Sequence, residues 1–184
     1  EAPDPAFGGG GLEGILSWAQ LPSPPTSSPD ARPRSVEARL RGYLAALRGM
    51  CASLTPTEWA RSSAPGEWSP VEIVCHLRDV DREVNLPRLQ RVLEQDDPFV
   101  AAVSADEWAA ERRYLEQDGP AALEDLTSGR KDLLDRLGRL DERDWLRPAR
   151  HALLGPMTLA ELMAVACAHD ILHLAQLRRA HPTL

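Results

Sequence analysis

The feature that most constrains the fold of this chain is a helical spacing of apolar residues in four separate segments. The segments run from about Ser35 to Leu54, from Ser69 to about Leu93, from about Ala121 to Leu140, and from Thr158 to about Arg179. In each of them apolar side chains recur three and four positions apart, which places them along one face of a helix. Four amphipathic helices with one long connection predict an all-α, four-helix bundle.

Two of these helices have a recognisable start. Ser69 and Glu72 are spaced as a capping box, with Pro70 at the first helical position, and Thr158 and Glu161 have the same spacing. Within the second helix, Pro87 predicts a kink. The long crossover, residues 96–120, lies between the second and third helices and is predicted to contain one short helix near 104–115.

Composition supports a helical fold. The chain holds 27 leucines and 25 alanines, but only 12 valines and isoleucines together. Leucine and alanine favour helices, whereas β-branched residues favour strands. This balance excludes an all-β fold and argues against a parallel α/β sheet. A hydrophobic share of 43% is enough to build a buried core.

The first 34 residues differ from the rest. They hold seven of the sixteen prolines and five of the twelve glycines, which interrupt both helix and strand. We therefore predict a flexible arm over residues 1–34 and a bundle domain over residues 35–184. The alternative is that an apolar turn around Leu12, Ile15 and Trp18 docks on the body or on a second copy.

Charge and cysteine content limit the partners and the location. The formal net charge is −7 and no dense basic block occurs, which argues against nucleic-acid binding. No apolar run approaches the roughly 20 residues of a membrane span, and the stretch from Gly11 to Leu21 lacks the basic region and long apolar core expected of a signal peptide. Three cysteines without a CxxC motif predict free thiols and a cytoplasmic protein.

Two histidines point to chemistry. His169 and His173 are four positions apart in the fourth helix and continue the apolar stripe through Leu162 and Ala166. Both imidazoles should therefore point into the bundle, close enough together to bind one metal ion. Buried imidazoles need partners, and hydrogen bonds to carboxylates or carbonyls are the alternative to a metal.

A third histidine, His76, lies near the start of the second helix. If the second and fourth helices are antiparallel neighbours, His76 lies at the level of His169 and His173. Three imidazoles would then hold zinc, nickel or iron and leave positions open for water or substrate. The alternative for His76 is a surface position or a hydrogen-bonded place in the core.

Other polar residues are weaker candidates. Glu83 is interpreted either as a fourth ligand or general base, or as part of a surface ion pair. Asp79 and Asp170 are interpreted either as carboxylates that orient the histidines or as solvated charges. His151 and His181 are predicted to be solvated. The cysteines and tryptophans are predicted to be packing residues.

Three segments resemble motifs of the DinB/YfiT-like family. They are Glu-Trp-Ser-Pro at 67–70, Val-Cys-His-Leu-Arg-Asp at 74–79, and the helix 169–177, which matches H-D-x-x-H-x-x-Q. Gly155 to Leu159 is similar to the loop that precedes this helix in the family. The resemblance covers about Ser35 to Arg179. It implies a four-helix bundle with His76, His169 and His173 as ligands of a divalent transition metal.

The resemblance also implies a function. Characterised relatives include transferases that use low-molecular-weight thiols such as bacillithiol or mycothiol, and others are described only as metal-dependent hydrolases or damage-inducible proteins. We therefore expect a metal-dependent transferase that activates a thiol. Arg82 or Arg178 would receive the carboxylates of such a thiol. The alternatives are a metal-dependent hydrolase and a non-catalytic, stress-related metal-binding scaffold. Relatives often pair, so a homodimer is expected.

Overall fold

The structure is a helical bundle with a small sheet at one side. A computed structural model describes residues 31–105 and 107–180. The predicted arm therefore lies almost wholly outside the described residues, as does His181. The helices are α1 (Pro33–Cys51), α2 (Pro56–Trp59), α3 (Pro70–Val80), α4 (Leu86–Glu94), α5 (Trp108–Glu111), α6 (Gly119–Leu137), α7 (Glu142–Trp145) and α8 (Leu159–Ala180). No helix among the described residues is both long enough and apolar enough to span a membrane.

Four helical units form the bundle. Helix α1 packs against α8 and α6, and α3 packs against α6 and α8, so that α3 and α8 are neighbours as predicted. Leucines from the predicted stripes fill the interior, and Leu40, Leu133 and Leu159 are completely buried. Ile73 and Leu177 close a second part of the core around α3 and the end of α8. The predicted four-helix bundle is confirmed.

The predicted helix starts are present as capping boxes. The Glu72 carboxylate accepts hydrogen bonds from the Ser69 N–H at 2.8 Å and from its hydroxyl at 2.6 Å. At α8 the Glu161 carboxylate accepts from the Thr158 N–H at 2.7 Å, and the Thr158 hydroxyl accepts from the Glu161 N–H at 3.3 Å. These contacts satisfy N–H groups that a helix start leaves unpaired.

Helices α3 and α4 are parts of one continuous helix that is interrupted by a π turn. The π turn spans Asp81–Asn85, directly after α3 and directly before α4. Pro87 follows at the start of α4, and its ring cannot donate a hydrogen bond to the residues before it. The irregularity predicted at Pro87 thus takes the form of a wider turn just before it.

A three-stranded sheet was not predicted. It consists of β1 (Phe99–Val100), β2 (Pro148–His151) and β3 (Gly155–Thr158). Strand β2 pairs antiparallel with β3 and parallel with β1. The sheet ties the crossover to the segment before α8. Its strands of two to four residues are too short for an alternating pattern to be recognised.

The crossover also contains short helical pieces. Helix α5 lies inside the predicted 104–115 region, and a 3₁₀ turn follows at Tyr114–Glu116. Tyr114 is completely buried, and its hydroxyl donates to the Asp79 carboxylate at 2.8 Å. The crossover is therefore fastened to α3.

Gly119, the first residue of α6, is in a tight contact with the buried indole ring of Trp59. A methyl group on Gly119 would overlap that ring, so we expect Gly119→Ala to lower the free energy of unfolding by about 1–3 kcal/mol. Gly129 lies in the same helix with open space around it. Gly129→Ala should be neutral or stabilising by up to about 1 kcal/mol. Urea denaturation of both variants tests this, and an equal effect would contradict the contact.

Candidate metal centre

Three histidines from two helices meet in the bundle interior. His76 of α3 and His169 and His173 of α8 are at most 8% exposed. The Nε2 atom of His169 lies 3.0 Å from Nε2 of His76 and 3.1 Å from Nε2 of His173. The structure thus brings together the three histidines that the sequence singled out. No other group of three or more potential metal ligands occurs among the described residues.

The helices set this geometry. His169 and His173 are one turn apart in α8, so their rings share one face of that helix. His76 lies in the second turn of α3, beside the C-terminal half of α8, as expected of antiparallel neighbours. Leu162 and Ala166 precede the pair on the same face and are buried with it. The apolar stripe therefore predicted the direction of both side chains correctly.

A hydrogen bond fixes the tautomer of His173. Its Nδ1 donates to the side-chain oxygen of Gln176 at 2.9 Å, which leaves the lone pair on Nε2. The Nδ1 atoms of His76 and His169 are buried and have no hydrogen-bond partner of ordinary geometry among the described residues. The backbone of Ala105 acts on His76 and opposes the lowering of its pKa. Neither carboxylates nor carbonyls satisfy the three rings fully.

Burial keeps these imidazoles neutral. It is the main cause that lowers the pKa of His169 to about 4 and of His173 to about 3. The positive charges of Arg130 and Arg88 add to the effect on His169. The pKa of His76 is also far below its ordinary value, because of burial and the two neighbouring rings. Neutral imidazoles with free lone pairs are the form that binds metal.

The donor set fits a divalent transition metal. Three nitrogens at the zinc–nitrogen distance from one tetrahedral centre would lie about 3.3 Å apart. Two of the observed separations, 3.0 and 3.1 Å, are close to that value, and all three nitrogens lie within 4.8 Å of one another. A proton on one Nε2 can satisfy one neighbouring lone pair, whereas a shared cation satisfies all three. Three protein ligands also leave positions open, as in catalytic sites.

Trp68 forms one wall of the site. Its ring is stacked parallel to His173 with centroids 5.8 Å apart and is tilted against His76 at 4.8 Å. Trp68 directly precedes the capping residue Ser69, so the start of α3 also positions the indole. Trp68 is thus a packing residue, as predicted. It packs against two of the three histidines, His76 and His173.

A buried ion-pair cluster lies close to the histidines, since it includes Asp170, the residue after His169, and the charge of its arginine, Arg130, acts on His169. Arg130 of α6 makes two-pronged contacts with Asp81 and with Asp170, and its guanidinium also donates to the Leu40 carbonyl at 3.4 Å. Burial alone would lower the pKa of Arg130, but the two carboxylates raise it. Asp170 is therefore not a solvated charge, so that interpretation was wrong; its hydrogen bonds go to Arg130, and its charge acts on the pKa of His173.

Asp79 and Glu83 belong to a second cluster on the other side of α3. Asp79 is completely buried and accepts from Arg78, Arg112 and Tyr114, which together lower its pKa although burial opposes this. Glu83 accepts two hydrogen bonds from Arg112, at 2.8 and 2.9 Å, and these lower its pKa. For Glu83 the interpretation as part of a surface ion pair is thus confirmed. Glu83 does not belong to the group of candidate metal ligands found among the described residues.

A cavity opens beside two of the histidines. It has a volume of about 60 Å³, and its wall includes His76, His169, Arg88 and His151. His151 is 7% exposed, so the prediction of a solvated side chain was wrong. It ends β2, and the sheet that buries it was not recognisable in the sequence. No carboxylate lines this cavity among the described residues.

The cysteines behave as predicted. Cys51, Cys75 and Cys167 are buried thiols that form no disulfide among the described residues. Cys75 directly precedes His76, but its sulfur lies 3.4 Å from the side-chain oxygen of Gln117 and takes no part in the histidine cluster. Burial raises the pKa of Cys75 to about 11. These thiols are core residues.

Comparison with known proteins agrees with this picture. The family model of the DinB superfamily matches residues 35–177. The structure of YfiT from Bacillus subtilis is similar, with a TM-score of 0.76 and 17% sequence identity over 87% of this chain and 91% of YfiT. YfiT is described as a probable metal-dependent hydrolase with an unusual four-helix bundle topology. None of the curated proteins matches the chain.

Proposed function

The chain belongs to the DinB superfamily, and from this premise we propose that it is a metal-dependent enzyme whose divalent cation is held by His76, His169 and His173. The observation that carries the proposal is the convergence of the three Nε2 atoms in a buried pocket beside a cavity. YfiT, which has the same fold, is described as a probable metal-dependent hydrolase.

The cavity supports a reaction in which the metal activates the nucleophile. A divalent cation with three neutral ligands keeps its full charge, polarises a carbonyl and lowers the pKa of water or of a thiol. The described wall of the cavity offers no carboxylate that could act as a general base. The three imidazoles would hold the cation. Gln176 fixes the tautomer of His173, and the ring of Trp68 packs against His76 and His173.

Hydrolysis of an ester or amide is the reaction that we propose first. Transfer of a low-molecular-weight thiol to an electrophile is the second candidate. The absence of a carboxylate from the described cavity wall is compatible with it as well, because a thiol with a pKa near 8.5 loses its proton more readily than water does. Sequence identity of 17% to YfiT supports the fold and does not distinguish these reactions.

A paired assay tests this function. Metal-loaded protein is offered a panel of nitrophenyl esters and anilides, and separately a haloaromatic electrophile with glutathione, bacillithiol or mycothiol. We expect metal-dependent turnover of at least one ester or amide, and its loss in chelated protein and in His76→Ala. Turnover with a thiol alone would establish the transferase instead. Full metal content without turnover in either panel would favour the scaffold.

Gln176 should tune the affinity of the site for metal. It holds His173 in the tautomer with a free Nε2, so Gln176→Leu should weaken metal binding by about 10- to 100-fold. Gln176→Glu keeps an acceptor for Nδ1 and should bind at least as tightly as the unchanged protein. Gln90→Leu is the control, because Gln90 is exposed and contacts Glu94. Competition with a chromogenic chelator measures all three, and equal affinities would contradict the role of Gln176.

A further inference from the structure

Besides the histidines of the candidate metal centre, the cavity wall carries a second group of polar side chains, Arg88 and His151. An Nη atom of Arg88 lies 3.5 Å from Nε2 of His151, and both residues line the cavity together with His76 and His169. The charge of Arg88 acts on both His151 and His169. This pair therefore faces the same space as two of the candidate metal ligands.

Arg88 lacks a carboxylate partner within the described part of the chain. Its guanidinium donates to the Ala101 carbonyl at 2.7 Å, but no described Asp or Glu is within ion-pair distance. Burial without a counter-charge lowers its pKa to about 10. Arg112 and Arg130, in contrast, each contact two carboxylates. A partly buried guanidinium without an anion is costly unless an anion binds to it.

The ring of His151 directs an N–H donor toward the guanidinium of Arg88. Its Nδ1 accepts hydrogen bonds from the backbone N–H groups of Leu153, at 3.2 Å, and Leu154, at 3.3 Å. The proton of the neutral ring must therefore be on Nε2, the atom that faces Arg88. Two donors face each other with no acceptor between them, which is an arrangement that an acceptor oxygen would resolve.

The rest of the described cavity wall is mainly apolar. Val80, Val84, Val103, Leu153 and Val165 supply most of it. A volume of 60 Å³ holds about four to six water molecules by the measure of one water per 10–15 Å³, or a short hydrocarbon chain. Such a wall gains nothing from a polar occupant but is suited to hydrocarbon.

Building on the proposed function, we propose that the substrate is an amphipathic carboxylic acid whose carboxylate binds Arg88 and His151. Its hydrocarbon part fills the cavity, and its reacting group lies at His76, His169 and His173. One guanidinium and one neutral N–H match the single charge and the two oxygens of a carboxylate. In this arrangement Arg88 and His151 determine which substrates bind, and they do not take part in the chemistry.

Binding of hexanoate to metal-loaded protein, measured by titration calorimetry, tests the proposal, with hexanamide as the uncharged counterpart. Arg88→Met should weaken hexanoate by about 10-fold or more, since a hydrogen bond to a charged group is lost. Hexanamide should change by no more than about twofold. Arg88→Lys keeps the charge but loses the two-pronged geometry, so it should weaken hexanoate binding less than Arg88→Met does. His151→Asn keeps an acceptor for the backbone but loses the Nε2 donor, and should weaken hexanoate by about threefold or more.

Arg91→Met is the matched control. Arg91 lies three residues further along α4, donates to the Phe99 carbonyl and does not line this cavity. It should bind hexanoate like the unchanged protein. Shorter acids should bind about three- to fourfold more weakly for each methylene removed. Equal binding of hexanoate by Arg88→Met and Arg91→Met, or of hexanamide and hexanoate by the unchanged protein, would overturn the carboxylate site.

Metal content separates this proposal from the proposed function. All the variants at Arg88, Arg91 and His151 should keep the metal of the unchanged protein, as measured by elemental analysis. If hexanoate binding depends on the metal but not on Arg88, the acid binds the cation directly and the inference fails alone. If the protein holds no metal yet binds hexanoate through Arg88, the proposed function fails and the carboxylate site stands.

Discussion

Replacing His169 with alanine should remove nearly all bound metal from this protein. His169 is the central ring of the cluster, because its Nε2 lies 3.0 to 3.1 Å from both of the other Nε2 atoms. With one of three ligands gone, the remaining pair holds a cation too weakly to keep it through purification. Elemental analysis should fall from about one equivalent per chain to below about a tenth.

The control for this variant is His151→Asn. His151 is also buried and lines the same cavity, but it belongs to the sheet and not to the histidine cluster. Its replacement should leave the metal content unchanged. Circular dichroism would establish that both variants keep their helices. Equal metal content in the two variants would show that the three converging histidines are not the metal site.

Arg130→Met should cause the largest loss of stability that we expect from a single substitution. The change leaves the buried carboxylates of Asp81 and Asp170 without their shared guanidinium. Removing one partner of a buried ion pair costs about 3–5 kcal/mol, because the remaining charge is uncompensated. The midpoint of urea denaturation should fall accordingly, with the denaturant dependence unchanged.

Arg136→Met is the matched control in the same helix. Arg136 is about half exposed and pairs with Asp132 four positions before it, an arrangement worth less than about 1 kcal/mol. Arg130→Lys keeps the charge but loses the two-pronged geometry, so it should be folded and intermediate in stability. A loss in Arg130→Met no larger than in Arg136→Met would contradict the importance of the buried cluster.

The bundle and the histidine cluster could be predicted because both follow from local spacing. Capping boxes marked the starts of α3 and α8, and the stripe through Leu162 and Ala166 indicated which way His169 and His173 point. The third histidine needed one further assumption, that α3 and α8 are neighbours, and the structure confirms it. Metal binding itself, the cytoplasmic location and the homodimer stay predictions.

What could not be predicted depends on contacts between distant parts of the chain. The strand pair β1 and β2 joins residues about fifty positions apart, at Phe99 and Arg150, and it buries His151. Buried carboxylates such as Asp79 and Asp170 look like surface charges until the arginines that reach them are known. Gln176, which fixes His173, was part of the family motif, and its spacing of three residues was the signal that could have identified it.

Arg82 and Arg178, the two arginines suggested from the sequence for the carboxylates of a thiol, stay predictions. Arg82 contacts Asp79 and Glu83, so its charge is already neutralised, and Arg178 lies exposed near the end of α8. Arg88 lines the cavity beside His76 and His169. Its position does not follow from regular helical geometry.

The π turn changes the direction in which Arg88 points about the helix axis, and this explains why Arg88 faces the cavity. An α-helix advances about 100° per residue, so the twelve positions from His76 to Arg88 would leave these side chains about 120° apart. The π turn at Asp81–Asn85 fits one extra residue into a turn and withdraws about 100° of that rotation. Histidine and arginine therefore face one cavity across an irregular stretch of backbone. Deleting one residue there would preserve the helix, its charges and its apolar content, yet rotate everything beyond the turn away from the three histidines.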